Sequence, residues 1–537
     1  LNIKQLSELV GKLFTDRATW ISLQQEIAEN FYPERADFTL KRIHGNNYAT
    51  DLMTSYPILT RRDLGDQIGQ MLRPTEKQWF NLVPEGDEKV DNEAQRWLER
   101  ARDIQRRAMY QKGSLFTRAM KEGDQDFSAF GQCVISCRVN KNVDGLLYRN
   151  WHLRDVVWQE NEEGKIGLIG RKWKPYARDL VHLFPKVHEK VRKTNETKPF
   201  DRINCYHIMV DADMYDEDSK GRPYFSLYYD IKNKHLMEAV PVWNQEYIIP
   251  RWQTVSGSQY AYSPATITAL PDARLIQSMT YAILEAGEKA VNPPIIATQD
   301  VVRSDVSLFA GGITWVEAEY NEKMGEALRT MPLDLRGLPF GDQMAGDSRE
   351  MIAAAFYLNK LNLPQRAPEM TAYEVGQRIQ EYIRGALPIF EPMEAEYNGG
   401  VCEMTFDVLM RNGAFGSPQD IPQSLRGADI DFKFESPLHD AIDEQKGQKF
   451  LEAKGLLVEA LDVDQGSVHL LDTRTALRDA LSGIGIPATW MNSELDVEAA
   501  TEQMAEEIEN QKLLEDMRTS SETAKNIGQA GESFAEV

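Results

Sequence analysis

The sequence predicts an α+β protein in which helix predominates, and three observations carry that reading. Apolar residues recur at three- and four-residue spacing in the opening stretch and again through most of the second half. Between those regions, from Gln132 to about Tyr247, the period drops to two, the alternation of extended strands. Hydrophobic residues make up 42% of 537 positions, with 10 Trp, 20 Tyr and 20 Phe. That is too much apolar mass for a disordered chain and enough for about three or four structural units.

The elements follow in order. Ile3, Leu6, Val10, Leu13, Trp20, Leu23 and Ile27 predict an amphipathic helix that stops at Pro33. A second helix, about Ile58 to Leu72, ends before Pro74 and leads into Gln78-Trp79-Phe80-Asn81-Leu82-Val83, aromatic and branched enough for a strand. A third spans about Asp91 to Tyr110. In the period-two region Val134, Ser136 and Arg138 stand opposite Cys133, Ile135 and Cys137, with turns signalled at Asp144-Gly145, Glu163-Gly164 and Lys220-Gly221. Trp151, Trp158 and Trp173 alternate with charged neighbours, as half-buried strands would.

Helical spacing returns over about Ser263 to Val291, and Asn292-Pro293-Pro294 stops it, because a proline pushes its predecessor out of the α region and has no amide to donate. Short strands are expected at Ile295 to Thr298, Gly311 to Val316 and Met331 to Leu333, then a helix over about Gln343 to Asn359. The order is therefore helix, compact β-rich insert, helix. After a loop with two prolines, Leu361 to Pro368, Thr371 and Glu374 fit a capping box, in which the Thr oxygen accepts the N3 amide and the Glu reaches back. Such a cap stabilises a helix start by about 1 kcal/mol. The helix it opens runs through Val375, Ile379, Ile383, Leu387 and Phe390, kinks at Pro388 and Pro392, and stops at Arg411-Asn412-Gly413. Helical spacing reappears over Ala441 to Leu461 and Leu495 to Met517, before a polar tail expected to be partly disordered.

Charge excludes one class of function. Acidic residues outnumber basic ones 83 to 61, for a net charge of -22, so a basic face that wraps nucleic acid is not expected. The excess is concentrated: Glu435 to Val537 holds 22 acidic and 8 basic residues. Four cysteines make neither a disulfide framework nor a CxxC metal pair. The longest apolar run, Met351 to Leu358, falls far short of the ~18 residues that span a bilayer, and charged residues interrupt the first twenty positions, so neither a membrane span nor a signal peptide is expected.

Motifs of catalysis are weak. Gly11-Lys12 lacks the upstream glycine of a phosphate-binding loop, and Gly483-x-Gly485 is followed by Ile486-Pro487, not by a helix. Cys205-x-His207 stands alone as a ligand pair, and a buried strand cysteine beside a solvated histidine accounts for it. Asp211, Asp213, Asp216, Glu217 and Asp218 imitate a calcium loop, but Tyr215 takes a ligand position and Lys220 precedes the glycine, as in a solvated hairpin tip. No Gly-x-Ser-x-Gly elbow surrounds Ser256 or Ser258.

Several phrases, in order, resemble the portal or head-to-tail connector proteins of short-tailed bacteriophages. They are Trp79-Phe80-x-Leu82 after Leu72-Arg73-Pro74; Tyr262-Ser263-Pro264-Ala265 with Ala269-Leu270-Pro271-Asp272; Asn292-Pro293-Pro294; Met370-Thr371-Ala372-x-Glu374-Val375-x-x-Arg378-x-x-Glu381; and Leu409-x-Arg411-x-Gly413. The resemblance covers about residues 50 to 440. It implies a mostly helical portal fold: a wing over 1–263, stem helices at 264–291 and 341–359 flanking a β-rich clip at 292–340, a tunnel loop at 360–370, a long bent helix and wing return at 371–434, and an acidic helical crown and tail at 435–537.

The resemblance also implies a dodecameric ring at one capsid vertex, in the virion after assembly in the host cytoplasm. Double-stranded DNA would be packaged and ejected through it. Its partners would be terminase, then tail adaptor proteins, with capsid and scaffolding proteins around it and no membrane. It implies no catalytic residue, metal or cofactor, since ATP would be hydrolysed by the terminase. In that fold Lys360, Asn362, Gln365 and Arg366 would face the channel and centre or retain the duplex, while an acidic wall lets it slide; solvated loop residues or subunit contacts are the alternative for each. Two other readings stand beside the portal ring: a metal-dependent hydrolase using the 211–218 acidic cluster or His207, and a different helical capsid or tail scaffold.

Overall fold

A computed structural model of the chain describes residues 1–40, 52–75, 77–85, 92–297, 328–330, 337–358, 393–427, 429–434 and 453–457, with positions 385, 476–477, 481 and 503. The chain divides into two compact units, one joining residues 1–77 to 107–412 and the other joining 78–106 to 413–537.

In the first unit the opening helix is in fact two, α1 (Ile3–Asp16) and α2 (Ala18–Phe31), broken at Arg17. The break has a cause. Arg17 is buried, and its guanidinium donates to the carbonyls of Leu153 (3.0 Å), Arg154 and Val156 (2.5 Å each), which ties the interhelical corner to the next layer. Asn2 and Gln5 close a capping box at the start of α1. α3 (Tyr56–Leu72) packs on α5 (Phe116–Phe130), a helix that the spacing did not predict. Thr117, Arg118, Lys121 and Glu122 are exposed on its first turns, but from Gly123 onward every residue is buried, Asp124, Gln125, Asp126 and Ser128 included, and those polar residues interrupt the apolar pattern that would mark the helix.

Two antiparallel sheets follow. The three-stranded one has the order β3 (Leu146–Trp151), β2 (Val134–Val139), β9 (Tyr247–Ile248). The five-stranded one runs β4 (Val156–Glu160), β5 (Ile166–Trp173), β6 (Cys205–Asp211), β7 (Tyr224–Asp230), β8 (His235–Val242). α1 lays Leu6 and Val10 on the second sheet, against Val157, Leu168, Ile208, Val210, Phe225 and Leu227. Two expectations change. β2 is buried without alternation from Val134 to Cys137, because it is covered on both faces, and Trp158 is fully enclosed, with its indole N–H donating to the Gln259 carbonyl at 3.1 Å. Trp151 and Trp173 are half-buried as expected. A helical insert also interrupts the region: α6 (Ala177–Leu183) and α7 (Glu189–Thr197) join β5 to β6 around a small core of Ala177, Leu180, Phe184, Val187 and Val191. They are too short, and too often punctuated by proline, to show a helical period.

α8 (Pro264–Val291) and α9 (Leu338–Ala355) enclose an antiparallel pair, β10 (Ile295–Ala297) with β11 (Leu328–Thr330). β11 and α9 both begin earlier than the sequence suggested, α9 with Pro339 in its first turn. The expected strand at Gly311 to Val316, Met331 to Leu333, the loop with Lys360, Asn362, Gln365 and Arg366, the Thr371–Glu374 cap, Pro388 and Pro392 lie outside the described residues. A π-type turn, Glu394–Gly399, then leads into α10 (Gly400–Arg411), which stops at Asn412 before Gly413 in the left-handed region (φ 71°).

The second unit holds most of α4 (Asn92–Tyr110) and a ribbon of β1 (Phe80–Pro84) with β12 (Ile430–Phe434), Leu82 opposite Phe432. Trp79 is fully buried against Phe80 and Phe434. Of the crown expected at 435–537, residues 453–457 are helical and nearly all others lie outside the described residues.

Gly131 ends α5 at φ 72°, and a Cβ there would sit 2.1 Å from the Tyr262 carbonyl carbon. At Gly164 (φ 76°) a Cβ would meet nothing within 4 Å. Gly164→Ala should therefore cost only the left-handed penalty of about 1–2 kcal/mol, and Gly131→Ala clearly more, as compared by denaturant unfolding.

Candidate functional site

The feature that asks for a function is the hairpin of α8 and α9. Ser263 begins α8 as an N-cap, its oxygen accepting the Thr266 amide at 3.5 Å, and Pro264 takes the first helical position. The same two side chains weld the root to the C-terminus of α5. Ser263 Oγ donates to the Ser128 carbonyl (2.8 Å) and Thr266 Oγ1 to the Ala129 carbonyl (2.8 Å), which gives partners to acceptors that a helix end leaves open. Gly131, pressed against the Tyr262–Ser263 peptide, accepts the Trp252 amide through its carbonyl at 2.8 Å.

α5 is itself held from within. Asp124 accepts from the Arg73 guanidinium, which also donates to Asn398 Oδ1 (2.7 Å) and lies over the Tyr397 ring at 4.6 Å. Asn398 in turn donates to the Leu72 carbonyl at 3.0 Å, closing the end of α3. Burial works against the Arg73 charge, but Asp124 outweighs it and holds the guanidinium above its ordinary range. Asp126 takes Arg35 (2.6 Å) and Asn150 (2.7 Å), and Gln125 takes Arg61. At Gly69 a side chain would meet the Asp124 carboxylate, so α3 approaches α5 closely there.

The lower half of the hairpin is anchored too. Gln277 accepts the amides of Met53 and Thr54 and donates to the Thr54 carbonyl, and Arg274 pairs with Glu26 of α2. On α9, Phe356 meets Phe31 at 5.4 Å and the Arg349 carbonyl accepts from Tyr56. The start of α9 lies beside the far part of α8, Gly341 next to Ile283, so the helices are antiparallel.

Beyond Gln277 the cover ends. The last fully buried residue of α8 is Ile276, and the 15 positions from Gln277 to Val291 extend about 22 Å further with none of them fully buried. Tyr281 is 55% exposed, Leu284 57%, Phe340 66% and Val291 88%. Polar contacts do not explain them: Lys289 and Glu285 form one exposed pair nearby, worth little by itself. An apolar surface of this kind on a protruding element marks a protein contact. The sequence names Leu275 and Leu284 as part of a helix but not as exposed. The signal it does carry is an excess, since α8 has more apolar residues than one stripe needs.

The other candidates resolve differently. Lys360, Asn362, Gln365 and Arg366 lie outside the described residues. His207 is not solvated, as the sequence suggested, but 1% exposed inside the five-stranded sheet. Arg171 Nε donates to the Tyr247 hydroxyl (2.7 Å), which leaves that O–H to donate to His207 Nδ1 (2.6 Å) and the His207 Nε2–H to donate to Ser226 Oγ (2.9 Å). Both ring nitrogens are thus used. Asp216, Glu217 and Asp218 are exposed on the β6–β7 turn, and among the described residues no three His, Cys, Asp or Glu side chains converge to hold a metal.

The chain is similar to known proteins of one kind. The family model described as bacteriophage head to tail connecting protein matches residues 3–491. The chain is 24% identical over 449 residues to a probable portal protein of Bordetella phage BPP-1, covering 80% of this chain and 78% of the relative. It is 20% identical over 444 residues to the portal protein of Salmonella phage epsilon15, covering 79% and 76%.

Burial, with the Arg171 and Arg138 charges, pushes His207 well below its ordinary 6.5. A histidine kept neutral in the fold protonates first in the unfolded chain, so its contribution is complete above about pH 6.5 and declines below it by about 1.4 kcal/mol per pH unit. In denaturant unfolding, His207→Gln should lose about 1.4 kcal/mol less than the parent protein between pH 7.5 and 5.5; equal losses would contradict this.

Proposed function

The chain belongs to the bacteriophage head to tail connecting protein family, and from that premise we propose that its copies close into a ring at one capsid vertex, the conduit through which double-stranded DNA is packaged and ejected. The observation that carries the proposal is the α8–α9 hairpin, which leaves Tyr281, Leu284, Phe340 and Met351 exposed and unaccompanied among the described residues. A neighbouring copy supplies the missing cover. Each of twelve hairpins in the proposed dodecamer would lie between two others, α8 and α9 forming the stem, with the β10–β11 segment as its clip and residues 1–263 in the wing. The ring docks terminase during packaging and tail adaptor proteins afterwards, sits among capsid and scaffolding proteins, assembles in the host cytoplasm and remains in the virion.

A conduit asks for no catalytic group, and the ATP of packaging is spent by the terminase. The acidic balance suits this role, because duplex DNA carries about one charge per 1.7 Å and a basic lumen would hold it by counterion release. Lys360, Asn362, Gln365 and Arg366 are proposed as the few polar and basic groups that meet the strand at the tunnel loop. The hydrolase alternative has no comparable support, since His207 is enclosed with both nitrogens bonded.

Two outcomes are expected. Burying a residue such as Leu284 is worth roughly 1.5–3 kcal/mol, so Leu284→Glu combined with Tyr281→Glu should raise the concentration needed for ring assembly at least about tenfold without shifting the unfolding midpoint, as followed by mass photometry and circular dichroism. Neutralising Lys360 and Arg366 should leave rings intact but lower the amount of DNA packaged or retained per particle; unchanged packaging and retention would remove those residues from the proposal.

A further inference from the structure

The five-stranded sheet is polarised by charge from one end to the other. Its strands are antiparallel, so alternate connections fall at opposite ends. At one end lie the α6–α7 insert and the β7–β8 turn. Residues 174–204 carry eight basic side chains against four acidic ones, in a chain whose overall charge is -22. All eight are exposed, among them Lys186, Lys190, Arg192, Lys193, Lys198 and Arg202. Lys232 and Lys234 of the β7–β8 turn add to them, and the Lys186 carbonyl lies 2.8 Å from His235 Nε2, which joins the two segments.

At the other end are the β4–β5 and β6–β7 turns. Residues 161–165 and 211–222 together hold seven acidic side chains against three basic ones. Asn161 of the first turn donates to Asp211 of the second at 3.4 Å, so the turns are neighbours. Burial, with smaller contributions from the Asp213 and Glu163 charges, raises the Asp211 carboxyl above its ordinary range despite that hydrogen bond. The strands between the ends are about seven residues long, roughly 23 Å.

The basic end also presents apolar surface. Phe200 is 68% exposed, edge-on to an exposed Tyr176 that Arg202 covers at 5.3 Å, and Leu183 at the far end of α6 is exposed too. Nothing among the described residues occupies this surface.

We propose that these two ends are the two halves of a head-to-tail contact between neighbouring copies of this chain, the α6–α7 end of one meeting the carboxylate-rich turns of the next. A closed ring requires such a heterologous contact, in which two different patches on opposite sides of one molecule are complementary. The two ends of the sheet face opposite ways along its strands and carry opposite charge, the complementarity that such a contact needs. Phe200 supplies an apolar anchor, and the charges set partner, register and encounter rate. The inference rests on the ring reading above and adds a second seam to it, away from the α8–α9 hairpin.

The test uses the full chain in three variants: Lys190→Glu/Arg192→Glu/Lys193→Glu, Asp216→Lys/Glu217→Lys/Asp218→Lys, and both sets combined. Assembly is followed by mass photometry across protein and salt concentrations, with circular dichroism to check folding. Each triple variant should need at least about tenfold more protein to form rings, and added salt should narrow the gap from the parent protein. The combined variant should recover assembly, because reversed ends again meet reversed ends. Triple variants that assemble like the parent, whether or not they have lost affinity for duplex DNA, would overturn the contact, as would a folded combined variant with no recovery. In both cases the parent protein still forms rings and the portal reading stands; a parent that never forms rings removes both.

Discussion

An antiparallel pair of helices can cover only one stripe of each partner, and everything about α8 and α9 follows from that limit. Below Gln277, α2 and α5 supply further cover, and Ala269, Ala273 and Ile276 are fully buried. Above it no described residue of α8 is fully buried, and large apolar side chains remain in water. A monomer gains nothing from this arrangement. In the proposed ring each copy would offer its neighbours the surface that it lacks.

The hairpin is useful only if its root is rigid, and that explains the interior of α5. Buried ion pairs such as Arg73–Asp124 are expensive to desolvate and contribute little net stability, but breaking one by removing a partner typically costs about 3–5 kcal/mol. They fix geometry. Arg73 links the end of α3, the middle of α5 and the turn at Asn398, and the C-terminal carbonyls of α5 then receive the hydroxyls of Ser263 and Thr266. A continuous set of polar contacts thus runs from the end of α3 through α5 to the first turn of α8.

Much of this was legible in the sequence, and the failures have physical reasons. α3, α4 and α8 show clear spacing and strong stops, so their positions came out within a few residues. α5 does not stand out because its second half buries Asp124, Gln125, Asp126 and Ser128, polar residues that read as surface, and Arg17 looks like an ordinary polar position although its side chain reaches across to cap distant carbonyls. His207 was misplaced for a related reason: a polar residue in a strand reads as exposed, and only the fold reveals Tyr247 and Ser226 on either side of it. As for function, the motif order named the family, but exposure along α8 is a property of three-dimensional packing that no spacing rule encodes.

The charge balance also changes meaning. A net charge of -22 argues against a clamp that wraps DNA, yet it is far from uniform, with its densest part after residue 434 and a basic end on the five-stranded sheet. The central claim remains that copies of this chain complete one another. The most direct measurement is the symmetry of the purified full-length protein by electron cryomicroscopy: the account predicts closed rings around a central hole, with α8–α9 hairpins packed side by side and Tyr281 and Leu284 buried between copies. A monodisperse monomer with those residues still in solvent would contradict it.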